Sequence, residues 1–281
     1  MLTPFRILFD VAVFRLRRLE MANLGGAVSV MLALGLALPE LAYRTAFALL
    51  LNLLAYLTND YCDIDRDLAT GRADAKTRFL AAHRRAALHA QIGLAAVLAV
   101  AALVTRPGLL VALVLGEGLC LWYSAHLKRV AFADLVAMAV CGGAMALVAV
   151  PLDRLLGLVL VIELGLFSGA FELIQVLRDR SEDAAAGTRT TAVVLGERGT
   201  LWLLRGTILL AAGFATLVLH RFLGPLLLLA ALLPYRAGEA RSHWNRLRLV
   251  FGLVWLGIVV TTVLDTRTHG LWLQIAQSAA L

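Results

Sequence analysis

The stretch YLTNDYCDIDRD, Tyr56 to Asp67, sets four aspartates, Asp60, Asp63, Asp65 and Asp67, directly behind the apolar run TAFALLLNLLA. Asn59, Asp63 and Asp67 are spaced i, i+4, i+8, and Asp60 lies seven residues before Asp67. On an α-helix these four side chains share one face, while Asp65 points away. A second stretch, ELIQVLRDRSEDAAAGTRTTAVVLG, carries Asp179 and Asp183 at i, i+4, with Glu172 and Gln175 on the same face seven and four residues before Asp179. Like charges at this spacing repel, so each face needs a cation. All-oxygen donors suit Mg²⁺, which keeps some waters and bridges one or two carboxylates to substrate phosphates. Lys76, Arg78, Arg178 and Arg189 stand nearby in the chain and are candidates for the remaining phosphate charge. Two acid rows, a divalent ion and basic residues around a membrane cavity describe a site for a lipid diphosphate. Either row alone also fits a solvated loop with ordinary helix-end charges. Two matching rows on one side fit that less well, because acids embedded in membrane spans are functional by default.

The elements that position these residues are membrane helices. The chain has 281 residues, is 61% hydrophobic and has a mean hydropathy of +0.84, against about 45–50% apolar for a soluble domain. The excess is gathered in runs. At about 20 apolar residues per span, nine candidates emerge, at roughly 23–39, 42–58, 86–104, 108–125, 132–150, 155–177, 200–219, 222–236 and 249–265. The expected fold is an all-α, polytopic bundle of nine transmembrane helices around a central cavity capped by cytoplasmic loops. The net charge of +7 does not point to nucleic acid, because it is sorted by side. Only Arg44, Arg106, Arg154, Arg221 and Arg267 fall on one side, and the other 21 of the 26 Lys and Arg fall on the opposite one. The positive-inside rule then predicts a cytoplasmic N-terminus and, with nine spans, an external C-terminus. Residues 1–22, with Arg6, Arg15, Arg17 and Arg18 among short apolar pieces, read as an interfacial amphipathic segment rather than a cleavable signal. Residues 1–281 read as one domain. Its two long polar loops, roughly 59–85 and 178–199, each start on an acid row, a hint of two related halves. Cys62, Cys120 and Cys141 have no metal-ligand spacing and read as small core residues.

These residues resemble the UbiA superfamily of intramembrane prenyltransferases. Its first motif, NDxxDxxxD, stands here as Asn59, Asp60, Asp63 and Asp67. Its second, DxxxD followed by glycine and a TL-V-LG-like tail, stands as Asp179, Asp183, Gly187 and TRTTAVVLG. A third, YS-x-x-LKR, stands as YSAHLKR with Tyr123, Ser124, Lys128 and Arg129. All three occur in order, and the resemblance covers essentially the whole chain. One departure is RFLAAH, with Phe79 and His83 where many members carry proline and glycine in RPLxSG.

The resemblance implies Mg²⁺-dependent transfer of a prenyl group from an isoprenyl diphosphate to an aromatic or lipid acceptor. The implied partners are these two substrates and membrane lipids, with no nucleic acid and no obligate protein partner, in a membrane of the bacterial inner type. Asp60, Asp63, Asp67, Asp179 and Asp183 become candidate metal ligands. Asn59, Lys76, Arg78, Lys128 and Arg189 become candidate diphosphate contacts. Tyr123, Lys128 and Glu172 are the candidate catalytic side chains, although Tyr123 beside Trp122 also fits an interfacial aromatic belt. His126, in the same motif, is a further residue to test. Glu117 and Glu163 lie inside spans four and six, where hydrogen bonding within the bundle is the favoured reading and handling the acceptor the alternative. A terpene cyclase of the same architecture uses the same metal and motifs and stays open, with RFLAAH in its favour. A transporter with a cation site ranks below both, because the acids cluster at one edge instead of at the midplane.

Overall fold

The computed structural model describes residues 3–17, 20–69, 71, 73–236 and 238–264. The predicted external C-terminus lies outside them. Every regular element among them is helical. In chain order these are α1 (Thr3–Arg17), α2 (Ala22–Ala33), α3 (Leu38–Ala69), α4 (Ala75–Ala82), α5 (Arg84–Thr105), α6 (Leu109–Ala125), α7 (Ala133–Ala146), α8 (Leu155–Ala185), α9 (Thr191–Phe214), α10 (Leu228–Ala231) and α11 (Ala240–Val263), with short 3₁₀ and π turns between some of them.

Among the described residues, five segments are long and apolar enough to cross a membrane: α3, α5, α8, α9 with its π-helical extension to Leu219, and α11. Three shorter apolar helices, Ala22–Ala33, Leu109–Ala125 and Ala133–Ala149, coincide with predicted spans one, four and five. The eighth predicted span, 222–236, is broken into a 3₁₀ turn at Gly224–Leu227 and the four-residue α10. Pro225 near its start and Pro234 behind it limit helix length there.

The acid rows lie on helix, beyond the predicted span ends at 58 and 177. α3 continues to Ala69 and α8 to Ala185. Gly187, at φ +69°, then takes the left-handed position that closes α8. Thr188 N–H donates to Asp183 O at 2.8 Å within that closure. Asp74 caps α4 by accepting from Thr77 N at 2.8 Å.

α3 and α8 are also the most enclosed of the five. Their apolar windows are 56% and 67% buried, against 28–33% for α5, α9 and α11. Both helices that carry the acid rows are therefore central. α7 and α8 meet nearly backbone to backbone through Gly142, Gly143 and Gly165, as small residues permit in membrane helix pairs. A Cβ on Gly165 would lie 2.8 Å from the Ala139 carbonyl oxygen, which the helix backbone holds in place. Gly165→Ala is therefore expected to cost about 1–3 kcal/mol, read as a lower melting temperature in detergent. Gly25→Ala, with no atom within 4 Å of the added carbon, should leave it unchanged or slightly higher.

Aromatic packing joins α8 to α11. Phe167 stacks on Phe251 with ring centroids 4.4 Å apart, and Phe171 lies 4.6 Å from Trp244. Trp255 Nε1 donates to Ser29 Oγ at 2.8 Å, which ties α11 back to α2 and closes the bundle. At the end opposite the acid rows, Glu40 holds Arg44 at 2.7 Å and Arg106 at 3.0 Å. The buried Arg44 also donates to Val148 O at 2.8 Å.

Candidate functional site

Both acid rows meet at one end of the bundle. Arg66, on α3 between Asp63 and Asp67, reaches across to Asp183 Oδ1 on α8 at 2.8 Å. Asp60 accepts from Arg15 Nη2 at 2.6 Å through one oxygen and meets Lys76 Nζ at 2.5 Å through the other. Asp63 pairs with Lys128. Asp179 is gripped by Arg178 at 2.8 and 2.9 Å. The exposed Asp65 faces away and pairs with Arg84, as the helical spacing predicts. Asp67 is half-buried, and its carbonyl accepts from Ala73 N where the chain turns towards α4. The repulsion within each row is thus relieved by protein cations, most of them drawn from distant parts of the chain and one, Arg178, adjacent to its partner.

Arg15 arrives from α1. It also binds Glu20 at 2.6 Å, and its guanidinium lies 4.4 Å from the centre of the Tyr56 ring. Burial works against the Arg15 charge, but Asp60 and Glu20 outweigh it and hold the pKa above its ordinary value. The predicted interfacial segment therefore sends a cation into the first acid row.

Lys128 is only 9% exposed. It sits on the 3₁₀ turn Leu127–Arg129 that follows α6. The next residues are clamped to the segment leading into α9. Val130 pairs with Arg189 as an isolated parallel bridge, and Phe132 N donates to Thr191 Oγ1 at 2.7 Å. Asp134, 1% exposed at the start of α7, accepts from Thr191 N at 2.8 Å, from the Thr191 hydroxyl, and from Leu135 N at 2.8 Å. Phe132 takes a left-handed φ of 66° inside this clamp, which costs a non-glycine residue energy that the surrounding hydrogen bonds must offset.

Deeper in the bundle, the Tyr123 hydroxyl donates to Glu172 Oε1 at 2.7 Å, and Gln175 Nε2 lies 3.5 Å from the other Glu172 oxygen. Ser124 donates to Asn59 Oδ1 at 3.1 Å. Thr58 donates to Glu117 Oε1 at 2.5 Å and lies 3.1 Å from Gln91 Oε1. Glu163 is fully buried, with no hydrogen-bond partner on either oxygen among the described residues.

Of the candidates named from sequence, Asn59, Asp60, Asp63, Lys76, Tyr123, Lys128, Glu172, Asp179 and Asp183 all enter these contacts. Arg78 is exposed on α4 and joins none of the ion pairs described. Arg189 contributes its backbone to the Val130 bridge, and its side chain is exposed. His126 is exposed as well. Sequence reasoning missed Arg15, Arg66 and Asp134. Only Arg66 had a local signal, because it is three residues from Asp63 and so on the same face.

Among the described residues no three His, Cys, Asp or Glu side chains converge into a ready-made metal cage. Mg²⁺ does not require one, since it completes its shell with water and substrate phosphate around one or two carboxylates. Oxygen donors on two facing helices, with Lys and Arg beside them, fit that mode of binding.

A family model described as the UbiA prenyltransferase family matches residues 24–249. A solved structure concerning digeranylgeranylglyceryl phosphate synthase in membranes is 14% identical, with a TM-score of 0.72 over 92% of this chain and 99% of that one. A UbiA homolog from Archaeoglobus fulgidus bound to DMAPP and Mg²⁺ is 15% identical, with a TM-score of 0.61 over 94% and 99%. The same homolog bound to GPP and Mg²⁺ is 15% identical, with a TM-score of 0.57 over 92% and 99%. At these identities the likeness is one of fold. No curated protein matches significantly. All three motifs lie within the matched residues, on helices and turns that bring them to one end of a bundle of this fold, and the chain belongs to the UbiA prenyltransferase family.

Proposed function

We propose that this chain is a Mg²⁺-dependent intramembrane prenyltransferase that moves a prenyl group from an isoprenyl diphosphate to an aromatic or lipid acceptor. The observation that carries the reading is the facing of the two acid rows, bridged by Arg66–Asp183 and flanked by Lys128–Asp63. The Archaeoglobus fulgidus homolog binds DMAPP or GPP with Mg²⁺, which supports the same substrate class here. The proposed topology is nine spans in a membrane of the bacterial inner type, with a cytoplasmic N-terminus and an external C-terminus.

Asp60, Asp63, Asp67, Asp179 and Asp183 are the residues that would hold Mg²⁺, directly or through water. Bound there, Mg²⁺ would neutralise charge on the departing diphosphate. Lys76 and Lys128 now pair with Asp60 and Asp63. With Mg²⁺ held by the carboxylates, these two ammonium groups would be the protein cations available to the diphosphate. Exposed Arg78 and Arg189 serve at the rim, and Asn59 assists at the first row. Positive charge develops on the allyl fragment as the diphosphate leaves, and Tyr123 is the aromatic ring that would stabilise it. Glu172 holds the Tyr123 hydroxyl and so orients the ring. Enclosure of α3 and α8 keeps water from quenching the cation as a free alcohol.

Product analysis of protein in nanodiscs, with geranyl, farnesyl or geranylgeranyl diphosphate, tests this reading. Turnover that needs both Mg²⁺ and an added acceptor is the expected result. A cyclic hydrocarbon formed with no acceptor would replace the transferase reading with the cyclase one.

A further inference from the structure

α11 carries a feature that the prenyl-transfer reading does not use. An open groove of about 660 Å³ lies at the start of the helix, lined by Glu239, Arg241, Ser242, Asn245, Arg246 and Leu249. It is on the outer side of the bundle. Phe251 and Trp255 of α11 pack inward on Phe167, and Trp255 bonds Ser29 of α2. Ser242, Asn245 and Leu249 occupy the opposite face.

The same face continues along the helix as an apolar stripe. Leu249, Leu253, Leu256, Val260 and Val263 follow one another at four- and three-residue steps, and all are 45–63% exposed. At 1.5 Å per residue this stripe is about 21 Å long, most of the thickness of a hydrocarbon core of about 30 Å. The groove therefore sits where a polar headgroup would be if chains lay on the stripe. Its level agrees. Phe171 touches Trp244 while Phe167 touches Phe251 and Trp255, so α8 and α11 run antiparallel. The start of α11 is thus at the same end as the acid rows.

The charge in the groove selects an anion. Arg241 and Arg246 line it, and the one carboxylate, Glu239, lies 3.9 Å from both Arg246 and Arg236, beyond hydrogen-bond distance. Among the described residues, Arg246 Nε and Nη2 are buried and have no hydrogen-bond acceptor. Buried guanidinium N–H groups without an acceptor are costly, and a phosphate group satisfies two of them in parallel through two of its oxygens.

We infer that this groove binds the phosphate of an anionic membrane phospholipid, whose acyl chains lie along Leu249, Leu253 and Leu256. A free phosphate ester would use the same arginines but would gain nothing from the stripe, so a lipid is the assigned source.

The test is native mass spectrometry of the full chain released from nanodiscs of equal parts phosphatidylcholine and phosphatidylglycerol. The wild type should retain phosphatidylglycerol in preference. The double variant Arg241→Gln/Arg246→Gln should bind it about 10–30-fold more weakly, as two lost arginines near a membrane surface imply. Arg241→Lys/Arg246→Lys should keep the part of the preference that charge alone supplies and bind more tightly than the Gln variant, which separates lost charge from lost fold. Leu253→Ser/Leu256→Ser should weaken retention with the arginines intact. Equal retention of both lipids, or no change in the Gln variant, overturns the assignment. So does retention unmoved by the Leu variant while glycerol 3-phosphate competes fully, which would make the groove a free phosphate-ester site.

Discussion

Asp63→Asn is expected to lower Mg²⁺-dependent turnover of an isoprenyl diphosphate by about 10²–10³-fold, the usual loss when one charge-stabilising group leaves an active site. Asp63 stands in the middle of the first acid row and carries the Lys128 ammonium in the resting protein. The amide retains an oxygen that accepts from Lys128, so the melting temperature should hardly move. Asp63→Ala removes that acceptor as well and leaves a nearly buried ammonium unpaired, at a further cost of about 1–3 kcal/mol in stability. Steady-state kinetics alongside thermal melting of both variants separates the two effects. Near-normal turnover of the Asn variant would remove Asp63 from the metal site. Chelation with EDTA should silence the wild type to the same level, and added Mg²⁺ should restore the wild type but not the variant.

Asp134→Ala should be the more damaging change to the fold. Its carboxylate accepts from the Thr191 amide, the Thr191 hydroxyl and the Leu135 amide while itself 1% exposed. Its deletion leaves those donors buried without an acceptor and removes a negative charge from the positive end of α7. A loss of about 3 kcal/mol or more follows from three such groups at about 1–3 kcal/mol each. The effect should reach the chemistry too. Without the clamp, residues 130–132 separate from 189–191, and Lys128 loses the backbone that aims it at Asp63. The KM for the diphosphate should rise at temperatures where the variant is still folded. An unchanged KM with lowered stability would show that the clamp holds the fold and not Lys128. Asp134→Asn, which retains one acceptor oxygen, should fall between the two.

The two variants divide what is readable locally from what is not. The acid rows could be read from sequence because i, i+4 and i+7 spacing places side chains on one helix face whatever surrounds it, and α3 and α8 do run through both rows. Long apolar runs similarly announced membrane helices, since a span is defined by length and hydropathy over contiguous residues. Broken spans were harder to read. At 222–236 the hydropathy is that of a span, but Pro225 and Pro234 interrupt the helix.

The neighbours of each row were a different matter. Nearness in sequence suggested Arg78 and Arg189 for the site, yet Arg78 lies on the exposed face of α4 and Arg189 uses its backbone to pair with Val130. The arginines that meet the acid rows are Arg15, 45 residues from Asp60, and Arg66, 117 residues from Asp183. The motif around Lys128 named the residue but not its support, because Asp134 and Thr191 are 57 residues apart. By itself the sequence determined the helical class and the two acid rows, which rest on local periodicity, and its three motifs carried the resemblance to the UbiA superfamily. The tertiary structure alone decided which cation meets which carboxylate and what holds Lys128 in place, because such pairings depend on how α1, α3, α7 and α8 pack, and no local spacing encodes that.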